Sequence, residues 1–375
     1  MNIVYENPVR RRMAEGALDF LPEWLRSIGS RRALFVMGGK SFRASDRFCQ
    51  LKKNLSGISI EESAPVPENP SVPFIEQFCA RTRGGVFDAV VAIGGGSALD
   101  AGKMMAVLFR EEPGILAGRI AGRRAFASKR LPLAAVPTTS GTGSEVTPYV
   151  SLQTEEKKKV TLTDARFFPD LALVDPLLTL SLPPAVTAST GFDVLSQAIE
   201  AFWSVYHTSF SDTHALRAAS LTARHLARAV KYPGDRVARF GMALASCESG
   251  LAIANTATTA VHAVSYPITT FFGVPHGHAC ALTLAEFIRF NEESMRENRY
   301  ADLWHALGVR SASEAADWVE RLMNEVGLES RLERLGIDAR GIECIVANGF
   351  RPDRVKNNPR LLTPEVLREI LQKIH

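Results

Sequence analysis

The sequence predicts an α/β nucleotide-binding domain over residues 1–182, followed by an all-α domain over residues 183–375. Three observations carry that reading. Four short apolar runs, "ALFVMGG" at 33–39, "DAVVAIGGGS" at 88–97, "LPLAAVPTTSGTGS" at 131–144 and "LALVDP" at 171–176, lead into Gly, Pro or Thr. Continuous runs of this length suit parallel strands buried on both faces. Helical patterns separate the runs, as crossovers between parallel strands require. After "LSLPPAVTAST" the β-branched runs thin out and 3.6-residue patterns rich in Ala, Leu, Glu and Arg take over. The change falls at Pro183-Pro184, which sets the boundary.

In the second half "DTHALRAASLTARHLARAVKY" and "ASEAADWVERLMNEVG" are amphipathic helices. "LTPEVLREILQKIH" closes the chain with Thr363 as N-cap and Pro364 at the first helical position.

Composition excludes several classes. With 375 residues, 46% hydrophobic and 22% charged, the chain has material for two cores and is too apolar for disorder. Lys and Arg number 44 against 40 Asp and Glu, and the surplus lies in short clusters such as "RRR" at 10–12 and "KKK" at 157–159. These read as solvated surface; no basic stripe interleaved with aromatics marks a nucleic-acid partner. The five cysteines are odd in number, widely spaced and lack a C-x-x-C pair, as in a cytoplasmic protein with reduced thiols. The N-terminus has no apolar h-region, and no uninterrupted apolar run of membrane-spanning length follows.

Chemistry concentrates in a few stretches. In "AIGGGSALDAGK" (92–103) a buried strand runs into three glycines and a serine, then into a helix opened by Ser97. Glycines let the backbone approach a phosphate, and free N–H groups at a helix start attract its charge. Gly95, Gly96 and Ser97 are the candidate phosphate site, although glycine-rich turns also serve tight packing. The spacing is not that of the G-x-G-x-x-G fingerprint. Asp100 reads as a first-turn acid suited to the helix dipole. "PTTSGTGSEVT" (137–147) offers hydroxyls to a ligand, or is simply a turn.

Asp193 and Gln197 stand four apart in "GFDVLSQAIEAFWS", on one face of a buried helix. His262 and His276 lie far along the chain in apolar surroundings. Asp with two His is a common ligand set for Fe(II) or Zn(II), whereas a neutral amide is a poor ligand. His278, two residues beyond His276, projects in another direction.

Taken together, "GGGSALDAGK", "PTTSGTGSEVT", "LVDPLLT", "TGFDVLSQAIEA" and "VHAVSYP…GVPHGHACA" resemble the group III, iron-containing alcohol dehydrogenases in order and spacing over almost the whole chain. The resemblance implies a dehydroquinate synthase-like fold, NAD(P) as cofactor and a divalent metal in the cleft between the domains. Carried over by position, Gly95, Gly96 and Ser97 hold the pyrophosphate, and Asp100, Thr138, Thr139, Thr142 and Lys159 line the rest of the cofactor groove. Asp193, residue 197, His262 and His276 are the metal ligands.

Departures from the pattern modify these expectations. Gln197 replaces the family's usual His, which implies a more weakly held ion, and Tyr266 stands where many members carry a further His. Where NAD-preferring members place an Asp, this chain has Gly38-Gly39-Lys40-Ser41 and then Arg43. Gly38 and Ser41 join the cofactor site, and loss of the acid, with Lys40, Ser41 and Arg43 as candidate partners of a 2′-phosphate, favours NADPH over NADH.

Several loops resemble the branch that reduces phosphonoacetaldehyde to 2-hydroxyethylphosphonate. His278, Arg351, Arg354, Lys356 and Arg360 are candidate cations for such an anionic substrate. The proton would arrive through water, the ribose hydroxyl, or a side chain such as Tyr266 or His278. Sulfoacetaldehyde and succinic semialdehyde are alternative substrates. A lyase like dehydroquinate synthase and a non-catalytic nucleotide-binding subunit are alternative functions. The expected assembly is a cytoplasmic homodimer.

Overall fold

The four apolar runs form the centre of a parallel sheet in a computed structural model that describes residues 5–82, 86–156, 158–295, 298–350 and 352–375. Its strands are β1 (Arg10–Met13), β2 (Arg32–Met37), β3 (Ser59–Glu62), β4 (Ala89–Gly94), β5 (Leu133–Pro137) and, after the hairpin strands β6 (Tyr149–Gln153) and β7 (Lys159–Thr163), β8 (Leu171–Val174). The six-stranded order is β1-β8-β5-β4-β2-β3, and every pair is parallel.

Alternate side chains feed two cores. Leu34, Val36, Val90 and Ala92 pack on one face, with α4 (Val72–Thr82), α5 (Gly96–Leu108) and α6 (Ile115–Ile120). Ala33, Phe35, Val91 and Ile93 pack on the other, with α1 (Leu21–Ser27) and α3 (Asp46–Asn54), which follows the single turn α2 (Lys40–Arg43). Burial on both faces is why these strands read as unbroken apolar runs.

The two edge strands had no such signal. β1 is "RRRM", read from sequence only as a charged surface cluster, and β3 is "SIEE". At an edge the backbone pairs on one side while charged side chains face water and discourage further pairing. The antiparallel hairpin β6–β7 gave no such run either: buried and half-buried residues alternate along β6, and β7 has no buried residue.

From β2 the chain moves outward to β3 and returns to β4 on the other side of β2. That reversal is a topological switch point, and in open α/β sheets ligands bind at the carboxyl ends of the strands flanking it. Here those ends are Met37–Gly38 and Gly94–Ser97.

The second compact unit comprises Leu180–His375 together with Ser140–Gly143 and, among the described N-terminal residues, Tyr5 and Glu6. Its helices are α7 (Pro184–Trp203), α8 (Ser209–Lys231), α9 (Arg236–Thr256), α10 (Ala260–Phe272), α11 (His276–Asn291), α12 (Tyr300–Leu307), α13 (Ala312–Glu325), α14 (Ala339–Gly349), α15 (Pro352–Val355) and α16 (Pro364–Lys373). Pro184 occupies the first position of α7, where a missing N–H costs nothing. From Gly191 to Trp203 every α7 residue is buried, with α8, α9 and α11 packed around it.

Thr208 and Ser211 form a capping box at the start of α8, and Thr363 caps α16 by accepting from the Val366 N–H, as its sequence predicts. α9 is long and apolar enough to cross a membrane by length and composition. Most of it is buried within the molecule, as in a core helix.

Candidate active site

The carboxyl ends of β2, β4 and β5 bring several of the expected cofactor residues together. Gly94 has φ +152, and a Cβ there would stand 2.6 Å from the Ala98 Cβ, so only glycine fits. Gly95 caps α5 in extended conformation without a side-chain hydrogen bond. The first amides of the helix, from Gly96 and Ser97, therefore remain at an open N-terminus suited to an anion. The Thr138 N–H donates to the Gly94 carbonyl at 2.9 Å, and that of Gly38 donates to the Ile93 carbonyl at 3.4 Å. Thr139 Oγ1 lies 3.3 Å from the Cβ position of Gly95. This cradle fits a pyrophosphate.

Three expectations need correction. Ser97 does not open α5: the helix begins at Gly96, and the Ser97 hydroxyl accepts from the Asn69 N–H at 3.1 Å. Asp100 lies beyond the first turn and does not serve the dipole. Its two oxygens accept from Ser144 Oγ at 2.6 Å and the Ser151 N–H at 2.8 Å, tying α5 to the loop and hairpin that follow β5. Burial raises its pKa against the opposing charge of Lys103. Lys103 is itself fully buried and donates to Ser144 Oγ at 2.7 Å and to the carbonyls of Thr147 and Tyr149, each at 3.0 Å. Burial pulls its pKa down to about 8, with Asp100 and Glu145 acting in the opposite sense.

Third, Arg43 is not a free cation. It pairs with Glu62 at 2.6 Å and donates to the Ser63 carbonyl. Ser41 is exposed on α2, and the Lys40 side chain lies outside the described residues. Lys159 opens β7 opposite Gln153, where its charge acts on Asp100. Thr142 belongs to Ser140–Gly143, the loop grouped with the helical unit.

In the helical unit Asp193 of α7, His262 of α10 and His276 of α11 converge with Cys280, one turn further along α11. Their candidate donor atoms all lie within 4.8 Å of one another. Asp193 Oδ1 stands 3.2 Å from His262 Nε2 and 3.9 Å from His276 Nε2. Asp193 and His262 are each 3% exposed. A buried carboxylate facing two imidazoles is a fitting donor set for a divalent cation.

Neighbouring groups fix which ring nitrogen each histidine presents. His262 Nδ1 pairs with Glu200 Oε2, so Nε2 is the atom turned toward Asp193. Glu200 is fully buried on α7, and its Oε1 accepts from Thr259 Oγ1 at 2.6 Å, the Val261 N–H at 2.8 Å and the Thr259 N–H at 3.1 Å. The carboxylate thus caps α10 and orients its histidine, as supporting carboxylates do around metal sites. Ser265 spends its hydroxyl proton on the His262 carbonyl at 2.8 Å, leaving its oxygen to accept from His276 Nδ1 at 3.3 Å. His276 consequently also offers Nε2. Burial disfavours the His262 cation, but Cys280, Glu200 and Asp193 outweigh it and raise its pKa well above the ordinary value.

Gln197 is buried, and its amide oxygen accepts from Ser249 Oγ at 2.8 Å. Tyr266 stacks on His276 at 5.8 Å between ring centroids, so its ring borders a donor of the cluster. His278 is turned elsewhere: its Nε2 meets the Glu329 carbonyl at 2.7 Å, and burial lowers its pKa.

Of the remaining cations in the tail, Arg351 lies outside the described residues. Lys356 is exposed. Arg360 is committed to the Phe290 carbonyl and Glu293. Arg354 is buried, with Nη1 3.5 Å from Thr258 Oγ1 beside the start of α10.

Sequence reading missed Glu200 and Cys280. Both had a spacing signal, since Glu200 is seven residues after Asp193 and Cys280 four after His276, each on the same helix face as its predecessor.

A glycine cradle at a switch point and a buried carboxylate–imidazole cluster are features that an NAD(P)-dependent, metal-assisted oxidoreductase requires. Residues 8–176 match the family described as iron-containing alcohol dehydrogenase, and residues 187–375 match its C-terminal part. The chain belongs to the iron-containing alcohol dehydrogenase family. It is 34% identical to the long-chain-alcohol dehydrogenase 1 of Geobacillus thermodenitrificans, over 91% of this chain and 88% of that protein. It is 30% identical to the NADPH-dependent butanol dehydrogenase of Clostridium saccharobutylicum, over 94% of each. Among solved structures, the NAD+ complex of sulfoacetaldehyde reductase from Bifidobacterium kashiwanohense superposes with a TM-score of 0.93 at 34% identity, covering 100% of this chain and 99% of that one. The lyase and non-catalytic readings are set aside accordingly: the protein is an NAD(P)-dependent alcohol dehydrogenase of this family, acting on an alcohol or aldehyde.

Proposed function

We propose that this enzyme reduces a short anionic aldehyde, phosphonoacetaldehyde first among the candidates, to its primary alcohol with NADPH. The observation that carries the substrate class is buried Arg354, on the element that packs against α10, the helix bearing His262. A guanidinium fork matches the oxygens of a phosphonate or sulfonate. The likeness to a sulfoacetaldehyde reductase supports a two-carbon anionic substrate.

When bound, the nicotinamide supplies the hydride and the divalent ion polarises the aldehyde carbonyl. Asp193, His262 and His276 hold the ion, with Gln197 beside them. Glu200 and Ser265 keep Nε2 of each histidine available. Gly94–Ser97, Gly38, Thr138 and Thr139 seat the cofactor, with Ser41, Thr142, Lys159 and Asp100 around them. Tyr266, stacked on His276, delivers the proton to the alkoxide directly or through water. His278 could share that role only by breaking its bond to Glu329. The absence of an acid after β2 underlies the preference for NADPH. Five free cysteines accord with a reducing cytoplasm, and the active form is proposed to be a homodimer.

The test compares phosphonoacetaldehyde, sulfoacetaldehyde, succinic semialdehyde and neutral aldehydes in wild type and Arg354→Met. Loss of one charge-assisted contact lowers kcat/KM for the anionic substrate about 10- to 100-fold, mostly through KM, and leaves neutral aldehydes little changed. Arg354→Lys retains part of the preference. Equal losses on charged and neutral aldehydes would refute the anionic assignment.

A further inference from the structure

We propose that Cys280 is the fourth protein ligand of the metal, its thiolate completing a set with Asp193, His262 and His276. The inference rests on the reading that those three residues hold the ion.

Its first support is geometric. His276 and Cys280 are four residues apart on α11, so they project from one face, as Asp193 and Gln197 do on α7. The Cys280 sulfur lies within 4.8 Å of each of the other three donors, which are themselves mutually close. Tetrahedral bonds of about 2.0–2.3 Å place donors roughly 3.3–3.8 Å apart. The two Asp193–imidazole separations, 3.2 and 3.9 Å, already bracket that range. The sulfur needs to move inward by no more than about 1 Å, the scale of a side-chain adjustment.

Its second support is chemical. Cys280 is fully buried and forms no disulfide. Gln197, at the position where the family's histidine would stand, already accepts a hydrogen bond from Ser249 through the oxygen a metal would use. Coordination releases the thiol proton to solvent and forms a sulfur–metal bond. Carboxylate plus thiolate then neutralise both charges of a divalent ion, whereas one carboxylate with three neutral donors neutralises only one. A softer, neutral site favours Zn(II) or Co(II) over Fe(II) and Mn(II).

The experiment strips full-length enzyme of metal and adds one equivalent of Co(II). Wild type should develop a near-ultraviolet sulfur-to-cobalt charge-transfer band together with visible bands of the protein-bound ion, which keeps a further position open for the aldehyde oxygen. Cys280→Ser should lose the charge-transfer band but keep visible bands from Asp193 and the two histidines. Cys280→Ala should do the same, and circular dichroism checks that both variants fold. A band that survives in Cys280→Ser reports another thiol, such as exposed Cys49, and overturns the proposal. Visible bands without charge transfer in wild type also overturn it while leaving the metal site itself intact. Absence of any stoichiometric Co(II) spectrum in wild type overturns both readings.

Discussion

His262→Ala should abolish aldehyde reduction, with kcat/KM falling on the order of 10³-fold or more, as loss of several kcal/mol of carbonyl activation implies. The side chain has no substitute. It bridges Asp193 and Glu200, both essentially buried, so its removal deletes a metal donor and leaves two carboxylates facing a void. Nucleotide affinity should change little, because Gly38, Gly95, Thr138 and Thr139 belong to the other compact unit. Fluorescence titration with NADPH alongside steady-state kinetics separates these effects. Retained activity in the presence of excess chelator would rule out His262 as a ligand.

Gly277→Ala should be nearly as damaging although no reacting group is touched. A Cβ at residue 277 would lie 1.8 Å from the Ser189 carbonyl oxygen and 3.0 Å from the Asp193 Cβ. The obstruction is helix backbone, which cannot rotate away, and Ser189 and Asp193 are both buried. The start of α11 also depends on that close approach. Pro275 offers no side-chain cap, and the His278 N–H is instead satisfied by Ser189 Oγ of α7 at 3.1 Å. To admit the methyl group α11 must lift from α7, carrying His276 away from Asp193. Overpacking of this severity costs about 3 kcal/mol or more, equivalent to a fall of roughly 6 °C or more in Tm for a unit of this size. Metal content should fall with it. An unchanged Tm with a full complement of metal would show that the two helices are not so tightly apposed.

The parts of the molecule that could be read directly from sequence are those whose physics is local. Buried parallel strands announce themselves as apolar runs, and Gly94 is required by its positive φ and by Ala98, four residues on. Edge strands β1 and β3 carry their stabilisation in backbone pairing with β8 and β2, so "RRRM" and "SIEE" look like solvated chain. Asp100 looked like a helix-dipole acid because its true partners, Ser144 and Ser151, lie more than forty residues on.

The metal centre divides in the same way. Asp193, His262 and His276 were conspicuous as polar residues in apolar surroundings, but Glu200 resembles any acid on a helix until the start of α10 is folded over it. Cys280 looked like one more reduced thiol. Its meaning depends on α11 bringing it against a carboxylate 87 residues earlier in the chain.

The most direct test of a metal-dependent reductase is metal removal and restoration in the wild-type enzyme, following NADPH oxidation with phosphonoacetaldehyde. Chelated protein should bind NADPH yet turn over at background rate. One equivalent of Zn(II) or Fe(II) per chain should restore activity, and Asp193→Ala should remain inactive under the same loading. Full turnover by metal-free enzyme, or equal rescue of Asp193→Ala, would contradict the assignment of catalysis to this centre.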